Sequence, residues 1–177
     1  MGTIINSTPS TILKPKRIPN GCTYSDSTVM NRSAYYAVAA NDGMLHILDH
    51  NGVEKMGYIP KSALPKLHNF AKLGAVHEYI NDGSPITAEV CFGSEAKSLL
   101  IGTTGRGGSS IYALDVTNLS NPSASNVLWD FSNKDDSDLG LTVGQPAITK
   151  NGSGTPLAIL SSGYNNTSGK GYLYILN

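Results

Sequence analysis

"YYAVAANDGMLHILDHNG", residues 35–52, is two apolar runs joined by a polar gap with a glycine in it and closed by an aspartate. The same form returns as "SLLIGTTGRGGSSIYALDVTN" at 98–118 and as "LAILSSGYNNTSGKGYLYILN" at 157–177. The closing runs align as Leu45–Asp49, Ile111–Asp115 and Leu173–Asn177, roughly 65 positions apart. A short β-rich run precedes each copy and opens on a proline: Pro9 in "NSTPSTIL", Pro85 in "DGSPITAEV" and Pro146 in "TVGQPAIT". Proline has no N–H to give to a ladder, so it is tolerated at the mouth of a strand. Two copies are followed by a further run, "EKMGYIP" at 54–60 and "NVLWDFS" at 126–132. The unit is therefore strand, strand, Gly-rich turn, strand, turn, strand. Four antiparallel strands per unit, repeated along the chain, is the pattern of propeller blades.

Side-chain alternation supports that reading. Leu45 and Ile47 point to one face of their strand while His46 and Leu48 point to the other. In the next copy Ile111 and Ala113 oppose Tyr112 and Leu114. Both faces are mainly apolar, which suits a sheet covered on both sides by neighbouring blades. The expected fold is all-β: a partial propeller of about three four-stranded blades within one unit, 1–177. Blade 1 covers about 4–60, blade 2 about 81–132 and blade 3 about 141–177, the last without its outer strand. A connector at about 61–80 carries the one helix signal, near 62–73, in which Leu64, Leu67, Phe70, Ala71 and Gly74 fit three turns. Ser62 stands where a cap is needed, Pro65 is placed in the first turn and Gly74 at the stop. Propellers close with four to eight blades, so the arc is expected to belong to a longer chain or to pair with another copy.

Composition narrows the function. The 177 residues contain 13 basic and 13 acidic side chains. This balance gives no net field toward nucleic acid or an anionic membrane. No apolar run approaches the roughly 20 residues of a membrane helix. The opening "MGTIINSTPS" lacks the basic start and apolar centre of a signal peptide, and reads as an internal piece of a secreted chain behind an added Met. Cys22 and Cys91 exclude a CxxC motif. Two unrelated thiols are the plainer reading; the alternative is a disulfide closing a loop of about 70 residues, worth about 4 kcal/mol in the entropic account.

Candidate chemistry reduces mostly to turns. Asp49 and Asp115 end equivalent strands and start turns, with Asn51-Gly52 supplying positive φ. "GTTGRGGSS" lacks the Gly-Lys-Ser/Thr ending of a phosphate loop and leads into a strand. His68 and His77 do not have a metal-binding spacing. A quinone pocket would need convergent cations and aromatics, whereas Trp129 lies in an outer strand and Arg32 and Arg106 stand apart in the sequence. No G-x-S-x-G elbow occurs. The loops "GCTYSDSTVMNRS" and "LSNPSASNV" are polar, expected to be exposed, and are where a binding surface would sit.

The motifs "AANDGMLHILD", "YIPKSALPKL", "HEYINDGSP", "IYALDVTN", "LWDFSNKDDSDLGLTVGQPAI" and "SSGYNN" follow one another over Ile4 to Asn177. In order and spacing they resemble the C-terminal β-propeller of the PilC/PilY family, type IV pilus-associated proteins of Gram-negative bacteria. The resemblance implies a non-enzymatic, secreted module at the pilus tip or outer membrane. It would act in pilus biogenesis against retraction and in surface adhesion. Its implied partners are pilins or minor pilins and a host surface receptor, with self-association as a route to closing the ring. The alternatives are a quinoprotein-like propeller dehydrogenase, or a docking propeller unrelated to pili. Some family members carry a calcium loop of Asp-x-Asp-x-Asp type. The nearest run here is "NKDDSDLGLTVG", with Asn133, Asp135 and Asp138 as candidate ligands. Asp138 stands where that loop needs glycine and Gly144 where it needs an acid, so a solvated turn is the expected role.

Overall fold

The computed structural model describes residues 2–19, 21–70, 72–74 and 76–177. Three antiparallel sheets follow one another along the chain. The first takes β1 (Ser10–Ile12), β2 (Tyr35–Ala39), β3 (Leu45–Asp49) and β4 (Glu54–Tyr58) in sequential order. The second takes β5 (Ile86–Phe92), β6 (Glu95–Thr103), β7 (Ser110–Asp115) and β8 (Val127–Ser132), again in order. The third has β9 (Ala147–Lys150), β10 (Pro156–Ser161) and β11 (Leu173–Leu176). Strands β1, β5 and β9 each start on the residue after Pro9, Pro85 and Pro146. The missing N–H thus falls just outside every ladder. The first sheet begins at Ser10 rather than near residue 4.

The repeat extends to irregularities. Pairing of β3 with β4 slips between Ile47 and Leu48, and pairing of β7 with β8 slips between Ala113 and Leu114. These are matching positions of the two blades. A bulge there bends the outer strand and adds twist, so equivalent sequence has produced an equivalent local kink.

Packing follows the period of two. In β7, Tyr112 and Leu114 join β2, β3 and β4 residues Ala37, Ala39, Leu45, Ile47 and Met56 in one core cluster. Ile111 and Ala113, on the other face, pack with Ala158 and Leu160 of the third sheet. The middle blade is therefore covered on both faces, which explains its near-continuous apolar runs. Gly102 sits opposite Tyr112 in the β6–β7 ladder. A Cβ at that glycine would fall 2.2 Å from the tyrosine ring. Absence of a side chain lets the ring lie flat across the strand, where it also packs 5.0 Å from the Tyr58 centroid.

Helix α1 spans Leu64–Phe70, shorter than the 62–73 expected; Ala71 lies outside the described residues. Pro65 is in its first turn, and Lys66 reaches out of it to donate to the carbonyls of Gly107 at 2.6 Å and Tyr79 at 3.3 Å. Gly74 has φ +75°, the left-handed conformation a chain reversal needs. Among the described residues no helix is long and apolar enough to cross a membrane.

Candidate binding site

The connection between β1 and β2, residues 13–34, belongs to the first blade by sequence but lies on the second. Thr23 forms a parallel bridge with Glu95; its N–H donates to Ser94 O at 3.0 Å and its carbonyl accepts from Ala96 N at 2.8 Å. Beside it Cys22 is bonded to Cys91, Cα to Cα 5.8 Å. The reading of two unrelated thiols is thereby overturned: the strap lays Cys22 against the end of β5, a proximity that spacing along the chain does not reveal. Cys22, Tyr24 and Val29 are buried with Ala96 in a small cluster of their own. The stretch "GCTYSDSTVMNRS" is thus half anchor and half surface, not exposed throughout.

Polar anchors complete the strap. Glu89, a lone acid in β5, accepts from the Tyr24 hydroxyl, from Ser98 Oγ at 2.7 Å and from Arg32 Nη2 at 3.3 Å. Burial first, and then this bond to the carboxylate, push the Tyr24 hydroxyl well above its usual range. Arg32, whose side chain is 7% exposed, also donates from Nε and Nη2 to Leu13 O at 2.9 and 2.6 Å, and from Nη1 to Thr117 O at 3.0 Å. Far from standing apart, it joins both ends of the strap to the β7–β8 connection. The planar five-donor guanidinium suits such a hub. Arg106 lies over the Tyr79 ring, 5.9 Å from its centroid.

On the strap's outer side Asp26 caps a 3-10 turn, Ser27–Asn31, by accepting from Thr28 N at 2.9 Å and Thr28 Oγ1 at 2.6 Å. These bonds hold its carboxyl below the ordinary carboxylate range. The connection after β7 is shaped the same way. Asp115 Oδ1 accepts from Thr117 N, Asn118 Oδ1 accepts from Ser120 N, and Ser123 and Asn126 cap each other reciprocally. The two connections then meet: Asn118 Nδ2 donates to Asp26 Oδ2 at 2.8 Å.

Between them opens a cleft of about 340 Å³ lined by Asp26, Glu95, Lys97, Asp115, Asn118 and the hydroxyls and amides of 120–126. Lys97 Nζ lies 2.9 Å from Asp115 and 3.9 Å from Glu95, and the Asp115 bond raises its pKa. Two carboxylates share one ammonium while Asp26 faces amide and hydroxyl donors. The cleft wall is polar and hydrogen-bonding throughout, suited to a polar ligand or protein loop.

At the opposite ends of the strands a second cavity, about 490 Å³, is lined by the segments that enter the three blades, Asn6 and Thr8, Asp82 and Ser84, and Gln145. Asp82 is 2% exposed and accepts from Asn6 Nδ2 at 2.6 Å and Asn41 Nδ2 at 3.3 Å. This network ties the entries of blades 1 and 2 together.

Asn133, Asp135 and Asp138 fall in the turn between blades 2 and 3. Asp135 Oδ2 accepts from Ser132 N at 2.8 Å and Ser132 Oγ at 3.1 Å. Asp138 Oδ1 accepts from Ser168 N at 3.1 Å, and its bonds to Ser168 lower its pKa. Asn133 is exposed. The turn uses these groups to join the end of β8 to the Gly-rich 162–172 loop. Among the described residues no group of three or more His, Cys, Asp or Glu is placed to hold a metal ion. Asp49 likewise accepts from Asn51 N and Val53 N at 2.8 and 3.0 Å, which is turn chemistry.

Stacked antiparallel blades with successive strand order, a cavity where the chain enters the blades and a polar cleft between connections define a β-propeller module. The chain belongs to the family described as the PilY1 beta-propeller domain, whose pattern it matches over residues 1–177. It is similar to a type IV pilus biogenesis factor PilY1 homolog of Xylella fastidiosa, 36% identical over 193 residues. That match covers 100% of this chain and 13% of the relative. It is also similar to the type IV pilus biogenesis factor PilY1 of Pseudomonas aeruginosa, 32% identical over 190 residues, 100% of this chain and 16% of the relative. The crystal structure of the Pseudomonas aeruginosa PilY1 C-terminal domain superposes with TM-score 0.76 at 29% identity, covering 94% of this chain and 34% of that one. The chain therefore spans a small part of the curated relatives it matches.

Proposed function

We propose that this chain is the propeller module of a type IV pilus biogenesis factor, and that it acts without catalysis. In this reading it opposes pilus retraction and carries surface adhesion, at the pilus tip or outer membrane of a Gram-negative bacterium. Pilins or minor pilins and a host surface receptor are its partners. Family membership supports the pilus assignment over a docking propeller unrelated to pili. The observation that carries the adhesive part is the meeting of two polar connections, 92 positions apart at Asn118 and Asp26, in one cleft at the seam of two blades. Sites of this kind, loops held by a scaffold, are where binding concentrates. The residues a dehydrogenase reading would recruit have other employment: Arg32 is spent on backbone carbonyls, and Trp129 packs between blades.

The test is complementation of a strain deleted for its own copy, with the cleft-lining residues 120–125 replaced by a Gly-Ser linker of equal length, leaving the buried Leu119 and the Asn126–Asp115 bond in place. Surface pili and twitching are measured beside adhesion to epithelial cells. Retained pili with lost adhesion is the expected result. Undiminished adhesion from a stably produced variant would overturn the cleft as the adhesive surface, and loss of pili with adhesion intact would overturn the division of roles.

A further inference from the structure

The strap that makes one wall of the cleft is held covalently at a single point. Between Leu13 and Pro19 it has no strand or helix, and Lys14, Lys16 and Arg17 are exposed. On the cleft side its non-covalent hold is one two-bond bridge at Thr23 and the Ser25–Glu95 and Asn118–Asp26 hydrogen bonds; on the buried side Tyr24 and Val29 pack with Ala96, Tyr24 and Arg32 bond Glu89, and Arg32 also bonds Leu13 O and Thr117 O. Short segments with few buried apolar contacts open locally at small cost. The Cys22–Cys91 bond stands at the inner edge of this region and decides how far the strap can leave β6. Cys91 also lines another cleft, of about 670 Å³, between blades 2 and 3 with Pro19, Gly21, Ile148, Lys150 and Pro156. A thiol approaching through that cleft has a route to the disulfide.

We infer that the Cys22–Cys91 disulfide is an oxidation lock on the polar cleft: closed, it keeps residues 21–32 standing as the cleft wall on blade 2; reduced, it lets the strap swing off and the wall is lost. The inference rests on the cleft being the adhesive surface. The redox partner is an oxidised protein dithiol, of the class that exchanges disulfides in oxidising compartments. In closing, the Cys91 thiolate attacks one sulfur of the partner's disulfide and expels its other sulfur as a thiolate. The Cys22 thiolate then attacks Cys91 Sγ and expels the partner's remaining sulfur. Two electrons pass to the partner, and the two protons given up by Cys22 and Cys91 complete its dithiol. Opening is the reverse, with a reduced dithiol as donor.

The test is amide hydrogen exchange read by mass spectrometry on the folded chain, oxidised and after dithiothreitol, with free thiols counted by alkylation. Peptides 21–32 and 116–126 are expected to exchange at least about tenfold faster once reduced, with 99–103 in the centre of blade 2 unchanged. Cys22→Ser/Cys91→Ser should match the reduced state; if that variant does not fold, reduced wild-type protein carries the test. Unchanged exchange in 21–32 with both thiols free would overturn the lock. Acceleration in 99–103 as well would also overturn it, since the bond would then be a staple of the whole fold. Adhesion to epithelial cells is measured separately on reduced and oxidised protein. A released strap with undiminished adhesion leaves the lock standing and overturns the adhesive reading of the cleft.

Discussion

Asn118 Nδ2 lies 2.8 Å from Asp26 Oδ2, joining a side chain after the third strand of blade 2 to one between the first two strands of blade 1. The contact exists because the blade 1 strap crosses the seam, and it turns two separate polar connections into the two sides of one cleft. The strap's buried side, built on Arg32 and Glu89, makes that crossing stable, so surface and anchor can be tested apart.

Arg32→Ala leaves Glu89 and the carbonyls of Leu13 and Thr117 short of a donor in a half-buried setting. A loss of about 3 kcal/mol in unfolding free energy is expected by urea denaturation, because orphaned buried polar groups keep their desolvation cost. Arg32→Lys should recover less than half, since one ammonium cannot span the same acceptors. A loss under about 0.5 kcal/mol would show the hub to be ornamental.

Gly102→Ala places a methyl 2.2 Å from the Tyr112 ring. Overpacking of this kind costs about 2 to 3 kcal/mol. In a Tyr112→Ala background the same change should cost under about 1 kcal/mol, because the ring it meets is gone. Additive effects in that double-mutant cycle would contradict the contact.

The third sheet has one covered face and one open face. Tyr174 packs 5.8 Å from the Phe131 centroid, and burial with a bond to Asp136 pushes its hydroxyl up to about 12. Leu173 and Ile175 are 67% and 57% exposed. Tyr174→Ala should therefore cost about 2 kcal/mol and Ile175→Ala under about 0.5 kcal/mol. Thermal denaturation of the two variants reads the difference, and reversed costs would place the wrong face inward.

Asp26 and Asp138 both titrate below their ordinary 3.8. A group whose folded pKa is depressed stabilises the fold above its unfolded pKa, and that contribution is lost as pH falls through the folded value. The Asp26–Thr28 cap and the Asp138–Ser168 contact are thus intact at neutral pH and fail only below about pH 4. Carboxyl-carbon NMR titration should give both midpoints under 3.8; a midpoint at or above it would remove the corresponding bond from solution.

Much of this was legible in the residues. Proline at the mouth of each inner strand, Asp at the end of the third strand in blades 1 and 2, and alternation in Leu45–Leu48 and Ile111–Leu114 report local constraints that a strand imposes on its own sequence. Both loops named as binding surface are in the cleft. What stayed hidden were contacts set by long-range docking. Nothing in the spacing of Cys22 and Cys91 brings them together, and Arg32 looks solitary until the strap folds back. Glu89 did leave a trace, as the one charge in β5, where a half-buried acid demands donors from elsewhere. The helix is shorter than its apolar spacing suggests, Leu64–Phe70 instead of 62–73, because spacing alone does not fix helix ends.

The central claim is that the 21–32 and 116–126 connections form a single surface. Its most direct test is a distance measurement by pulsed electron resonance, with nitroxide amino acids genetically encoded at the exposed cleft residues Ser25 and Ser120. A narrow distribution centred within about 20 Å is predicted for two labels on the rim of one cleft of this size. A broad distribution extending beyond about 40 Å would mean that the strap stands off blade 2 in solution and that the cleft is not a site.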